Sequence, residues 1–482
     1  MPTAYIVLDL GFGDAGKGSL VDYLAARTGA DPPSGLVVRF NGGGQAAHNV
    51  VTPDGLHHTF AQFGSATFLG AKTYLSQPCL WNPIAMEAEA EVLEKTLGRK
   101  IDFPYVDSLA SVVTPWHQAM GRLREISRGT GRHGSCGVGI GEAMLDRQEH
   151  PSESIHARNL KGWDEDNLCY HLMRLADRKR GEWADLADRL KVSPSSLGNS
   201  PDLSFLMDKH APRAVAARLR QIAARTSMPG LDLSSKTLFD NAGDVIFEGA
   251  QGIGIDERYG FLPFATWSDC TSSGARQVLS EVGWMGDTKT IGVLRAYGVR
   301  HGPGPFVTEI VDRHGNADRG PLAFFKDAHN GTGPWQGPMR YGWFDAVLAH
   351  YTMRAEKEAG SFSTAFRTFH PGVDCLAITC VDQVDRMLGS GLPWEICDEY
   401  EWHAGRRKIG PLVFEPGCFA TQEEMTEALQ CVVPLYRHEG HDSEGLLAAI
   451  EGLLRCPIEI VSHGPSWNDK EWRKSPPTTM KD

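Results

Sequence analysis

Between Leu8 and Leu20 the chain reads LDLGFGDAGKGSL. Gly11, Gly16 and Lys17 keep the spacing of a phosphate-binding loop: a glycine, four residues, a second glycine, then a lysine. Glycines at 13, 16 and 18 let backbone N–H groups approach phosphate oxygens. The helix that follows adds its positive N-terminus, and Lys17 supplies a point charge for a terminal phosphate. Two departures stand out. The Ser or Thr that would hold a magnesium ion is Gly18, with the hydroxyl displaced to Ser19, and a carboxylate, Asp14, sits inside an anion-binding loop. A plain strand-to-helix turn would need neither three glycines nor a lysine.

A second stretch, NGGGQAAHN from Asn41 to Asn49, repeats the pattern after another apolar run. Its glycines free the backbone to approach a ligand, and His48 stands where a donor stabilises developing charge. The mixed stretch RHEGHDSEG reads instead as a solvated loop leading into a helix after Asp442 or Ser443, not as a metal site.

Strands must position these loops. YIVLDLG, GLVVRFN, DVIFEGAQG, IGVLRAYG, CLAITCVD and IEIVSHG each run apolar and then end in glycine or polar residues. Continuous apolar runs without alternation suit strands buried on both faces, as in parallel sheets. Helical patterns lie between them: SLVDYLAART, NPIAMEAEAEVLEKTLG with Pro in its first turn, TQEEMTEALQ with a Thr-x-x-Glu capping box, and SEGLLAAIEGLLR. The expected fold is α/β around a mainly parallel central sheet. Ligands in such sheets bind at the carboxyl ends of the strands, so the polar clusters should converge on one site. We expect one large catalytic domain over residues 1–470. Within it, 150–240 forms a helical insertion covering the site from one side, where FLMDKHAPRAVAARLRQIAART reads as helix. Residues 471–482 read as a frayed tail.

Composition narrows the function. The 482 residues are 41% hydrophobic and 22% charged, as in ordinary globular proteins, and the net charge of −12 leaves no broad basic surface. Nucleic-acid and membrane-surface partners are therefore not expected, and any nucleotide must sit in a local pocket. No window approaches the roughly eighteen apolar residues of a spanning helix. Ten scattered cysteines without paired spacing suggest reduced thiols and a cytoplasmic protein.

GDAGKG followed by VVRFNGGGQAAHNVV resembles the signature of the adenylosuccinate synthetase family. FEGAQGIGIDERYGFLPFAT, AYGVRHGPGPFVTE, YGWFDAV, TCVD and SHGP follow in the family's order. The resemblance implies a ligase that uses GTP and Mg2+ to join aspartate to the 6-position of IMP. It implies that Asp14 is the base at purine N1 and a metal ligand, with the Ala47 carbonyl as another. His48 and Lys17 would stabilise charge on the transferred phosphoryl group. GTP would be held by Gly13, Gly16, Lys17, Gly18, Ser19, Ala47, His48 and Asn49, with its base read by Asp382 beside Ser462 and Gly464. The purine nucleotide would meet Asp14, Gln45, Ser135, Cys136, Gln251, Thr266 and an arginine from a partner subunit, Arg147 or Arg158, hence a homodimer. Aspartate would meet Thr332 and Arg340 in a glycine-rich loop that closes over it, with Trp335 as an apolar wall.

The chain also departs from the family's motifs. Gln45 stands for an Asn, Ala47 for a Gly, Ser135–Val138 for TTGR, Cys380 for a Lys, and GTGPWQGPMR for an arginine-rich TTGRRRR loop. Two alternatives remain open from sequence. One is a related ligase acting on GMP, dGMP or another amino donor; the other is a nucleotide-binding regulator without catalysis.

Overall fold

The computed structural model describes residues 1–27, 35–191, 200–230, 233–311, 319–325, 327, 329, 331–333, 335–361, 372–402, 408–409, 417–438 and 442–473. Nine strands form the central sheet, in the order Lys470–Trp472, Ile458–Ser462, Cys375–Thr379, Asp287–Arg295, Thr3–Asp9, Val245–Glu248, Leu36–Arg39, Lys72–Leu75, Tyr105–Val106. All pairings are parallel except the antiparallel edge strand Lys470–Trp472. Thr3–Asp9 lies at the centre, with Ile6 opposite Phe247 on one side and Thr290 on the other. The middle strands are apolar throughout because helices cover both faces: Val7, Val37, Ile246 and Val293 pack on one, Ile6, Val38 and Phe247 on the other.

The six apolar runs seen in the sequence are six of these strands, and their carboxyl ends face the same edge. Thr3–Asp9 runs into the glycine loop, and the helix Lys17–Ala26 starts directly after it. Asn82 caps Pro83–Leu97 by accepting from the Ala85 N–H, and Asp442 caps Ser443–Leu454 in the same way. Residues 439–441 of the histidine-rich stretch lie outside the described residues.

Three local expectations are corrected. The capping box at Thr421 does not form: that helix begins at Phe419, and the Thr421 hydroxyl donates back to the Cys418 carbonyl. The single helix expected in FLMDKHAPRAVAARLRQIAART is two, Pro201–Met207 and Ala211–Arg225, because Asp208 is extended and its side chain accepts the His210 N–H. The expected fraying of 471–482 fails at its start, where Glu471 and Trp472 pair with Val461 and Ile460; residues 474–482 lie outside the described residues.

The described residues of the 150–240 segment are mainly helical, and they share one buried cluster with the main body. Leu172, Trp183, Leu219 and Ile222 pack with Trp81, Met86 and Trp116. A buried charge network adds to this. Lys179 bonds Asp146, Glu142 and Glu182, while His117 and Arg178 also reach Asp146. Every member is paired, which is the condition for tolerating charge away from water.

Candidate active site

At the carboxyl edge of the sheet two clefts of about 330 and 310 Å³ lie on either side of the glycine loop. The first is lined by the loop from Gly13 to Ser19, by Ala47, His48 and Asn49, and by Asp382, Ser462 and Gly464 from the ends of the far strands. The second is lined by Gln45, Gln251 and Thr266, with Ser135 and Cys136 on the opposite wall. The loop separates them: a Cβ on Gly13, whose φ is +117°, would lie 3.2 Å from the Gln251 backbone. Gln251 itself holds a positive φ of 62° and accepts from the Gln45 amide at 3.4 Å.

The loop's conformation comes from a residue that the sequence reading passed over. Asp9, buried at the end of the central strand, accepts N–H groups of Gly11 at 2.8 Å, Gly13 at 3.3 Å and Ala15 at 2.8 Å. It also accepts from Lys17 Nζ at 3.0 Å, and that ammonium donates to the Gly13 carbonyl at 2.7 Å. A protein carboxylate thus sits within the amide cradle and neutralises its lysine.

The absence of a hydroxyl at 18 has a steric cause. A Cβ on Gly18 would lie 2.7 Å from His48 Cβ and 2.9 Å from Ser65 Oγ. The position is given over to the close approach of His48. The histidine ring bonds Glu248 through Nδ1, and Ser65 bonds the same carboxylate through its hydroxyl and its N–H. Burial pushes Glu248 upward, but His48 and Arg39 outweigh it and hold the carboxyl at about 2. Burial lowers His48 against the pull of Glu248, and its Nδ1 is turned to the carboxylate.

Asp14 is half-buried and lines the first cleft. Burial raises its carboxyl above the usual carboxylate range, against the pull of Arg295, Lys17 and His301. Its backbone carbonyl accepts from Arg295 Nε at 2.6 Å, and Arg295 in turn bonds the Tyr297 hydroxyl and Asp327. A raised carboxylate among cations, lining the first cleft on the loop that borders the second, is equipped to take a proton.

Other expected residues fall as follows. Asp382, in the first turn of Val381–Gly389, faces the first cleft and pairs with Arg386 at 2.9 Å; burial raises its carboxyl. Cys380 takes a left-handed conformation just before it. The Ser462 hydroxyl donates to the Gly464 carbonyl, and the Asn49 side chain accepts from His57 and Thr59. Arg147 and Arg158 line neither cleft.

Arg340 and Thr332, the residues expected beside aspartate, lie as follows. Arg340 lies in the strand Met339–Gly342, paired with Gly298–His301, and not in an open loop. Its guanidinium is bidentate to Glu309 and donates to the Gly302 and Gly304 carbonyls, so its donors are spent inside the protein. Thr332 is exposed and lines neither cleft. Gly333 and Gly337 exchange backbone bonds of 2.8 and 3.1 Å, which ties the loop into a closed turn.

Sequence reasoning missed Asp9, Glu248 and Arg295. Their one shared signal is a charge that directly ends the apolar run of a strand. It also missed Trp267, 42% exposed in the second cleft.

No group of three or more potential side-chain ligands for a metal occurs among the described residues. Asp14 and the Ala47 carbonyl do share the first cleft with the loop, which fits a hard cation held mainly by phosphate oxygens.

The family model for adenylosuccinate synthetase matches residues 6–362. The adenylosuccinate synthetase of Neisseria gonorrhoeae is 28% identical over 482 residues, covering 95% of this chain and 96% of its own. That of Synechococcus elongatus is 30% identical over 414 residues, covering 82% and 79%. Among solved structures, fully ligated adenylosuccinate synthetase from Plasmodium falciparum superposes with a TM-score of 0.70 at 20% identity, covering 98% of this chain and 99% of that one. A cyanophage S-2L succinoaminodeoxyadenylate synthetase, bound to dGMP and to dATP as energy donor, superposes at 0.52 and 13% identity, covering 98% and 96%. At those identities the two structures speak to the fold alone. The family model and the curated relatives go further: this chain belongs to the adenylosuccinate synthetase family of GTP-dependent C–N ligases.

Proposed function

We propose that the protein phosphorylates the 6-oxygen of a purine nucleotide, IMP, with the γ-phosphate of GTP and then joins an amine at C6. The observation that carries this reading is the placing of Asp14, with its raised carboxyl, on the loop that walls one cleft from the other. In the proposed sequence GTP occupies the first cleft and the 6-oxopurine the second. Asp14 takes the N1 proton as the 6-oxygen attacks the γ-phosphate. His48, protonated as the triphosphate's charge arrives, and Lys17 steady the phosphoryl oxygens. Asp382 accepts two N–H groups of guanine, and Gln251, Thr266, Gln45, Ser135 and Cys136 hold the acceptor nucleotide. Asp14 and the Ala47 carbonyl would hold Mg2+, which when bound supplies charge neutralisation on the phosphates.

Aspartate is the donor that family membership puts first, and the donor's class for this chain follows from the mouth of the second cleft. A homodimer belongs to the same proposal: Arg147 and Arg158 line neither cleft of their own subunit. Among the described residues no helix is long and apolar enough to cross a membrane, all ten cysteines are free thiols, and we place the enzyme in the cytoplasm.

The test is isotope scrambling in GTP labelled at its β,γ-bridge, without any amine present. Scrambling that requires IMP, exceeds that with GMP or dGMP, and vanishes in Asp14→Asn is the expected result. Scrambling that ignores the purine would remove the reading.

A further inference from the structure

The mouth of the second cleft is where an amine must enter to reach C6, and its charges are already spoken for. It shares Gly134, Pro303 and Gln336 with the cleft, and adds Arg132, Trp335 and Pro338. Arg340 is bidentate to Glu309 and bonds two carbonyls. Arg300 is buried and donates to the carbonyls of Pro303, Pro305 and Phe264, with its guanidinium 4.2 Å from the Phe12 ring centre. Burial and the neighbouring Arg340 lower it to about 9. On the opposite wall Arg124 serves Glu142 and Glu182, Arg128 serves the buried Glu125, and Arg122 serves Asp202 and the Gly137 carbonyl.

Among the described residues at this mouth, that leaves the exposed Arg132 as the guanidinium without an internal partner. One free cation matches one carboxylate. Among the described residues a second carboxylate would enter near Glu125, already paired with Arg128, and would find no second unpaired guanidinium; the imidazoles of His133 and His301 are the other basic groups of the cleft. Apart from Gln336 and the paired Arg340, the rest of the mouth is built from glycines, prolines and Trp335. Trp335 is half-buried against the Gly137 backbone, with Arg122 5.7 Å from its ring centre, and Pro303 and Pro338 flank it.

We infer that the amino donor is an α-amino acid with a single carboxylate and an apolar or aromatic side chain, not a dicarboxylate. The carboxylate meets Arg132 and the side chain packs on Trp335 and the prolines. This rests on the activation step proposed above. The amine's lone pair forms the new bond to C6, and the C6–O bond breaks with its electrons leaving on inorganic phosphate. The nitrogen sheds a proton to solvent, and no oxidant or reductant is needed.

The experiment has two arms on the intact protein. Isotope scrambling in GTP with the acceptor nucleotide, free of amine, reads activation alone. Phosphate release and product mass with L-phenylalanine, L-leucine and L-aspartate read the donor. The expected result is saturable turnover with phenylalanine or leucine, at least about 10-fold above aspartate in kcat/KM. Arg132→Gln and Trp335→Ala should each raise the donor KM about 10-fold while that of GTP stays within about twofold. Scrambling combined with preferred use of aspartate overturns the donor class and leaves activation standing. Scrambling without product from either monocarboxylate overturns it too. Absence of scrambling with every 6-oxopurine tested removes the activation step and this inference with it.

Discussion

Asp14 and Asp9 sit five residues apart and do opposite work. Asp14 could have been a helix cap, but the capping position of Lys17–Ala26 is Gly16, with no side-chain bond, so that role is vacant. Asp14→Asn should therefore lower kcat by about 10²–10⁴-fold, the usual cost of losing a general base. GTP binding should change only a few-fold, and turnover close to wild type would defeat the assignment. Asp9, by contrast, has four donors pointed at it and lines neither of the two clefts. Asp9→Asn should destabilise the fold by about 3 kcal/mol in urea melts, because Lys17 is left as a buried, uncompensated charge. Adding Lys17→Met should recover part of that loss. Strictly additive changes in the double-mutant cycle would mean that the pair does not couple.

At the scale of the element, the helix Lys17–Ala26 carries a cost of its own. Asp22 is buried on its inner face, and neither carboxyl oxygen has a hydrogen-bond partner. Burial raises its pKa to about 7, with Lys470 pulling the other way. A raised carboxyl favours folding when protonated: that stability is complete below about pH 4 and is lost as pH rises through 7. A shift of this size is worth about 4 kcal/mol at most. Asp22→Asn should accordingly stabilise the protein more at pH 7.5 than at pH 5, seen as a larger gain in Tm. An equal gain at both values would mean that Asp22 is ionised throughout. The elements were legible where one physical signal dominated, as in the uninterrupted runs YIVLD and LAIT, or Pro83 after Asn82. They were misread where a polar residue had two uses. Thr421 bonds backward and not forward, and Asp208 bends the chain that the surrounding apolar spacing would carry straight on. In the site, Gly13, Gly16, Lys17 and His48 announced themselves through glycine spacing. Asp9, Glu248 and Arg295 did not, since a charge ending a strand looks like ordinary solvent exposure until the neighbouring loops close over it.

At the scale of the whole molecule, the open question is how many chains make one site. If Arg147 or Arg158 serves the partner's cleft, two inactive variants should complement each other. Subunits carrying Asp14→Asn, mixed and re-equilibrated with subunits carrying Ala at that arginine, form hybrids with one intact site. Up to about one quarter of wild-type activity should return for random pairing into dimers. Sedimentation at assay concentration should show the dimer. Full activity in a monomer, or a mixture as inactive as its parts, would place both arginines at the ordinary solvent surface.

The carboxylate inside the glycine loop also bears on how the protein behaves before any nucleotide arrives. Loops that cradle phosphate through bare amides are free to breathe until the ligand ties them down. Here the amides of Gly11, Gly13 and Ala15 are tied already. Their hydrogens should exchange slowly with deuterated solvent in the empty protein, and adding GTP should slow them little further. The ordering that a nucleotide would otherwise impose on the loop is built in during folding.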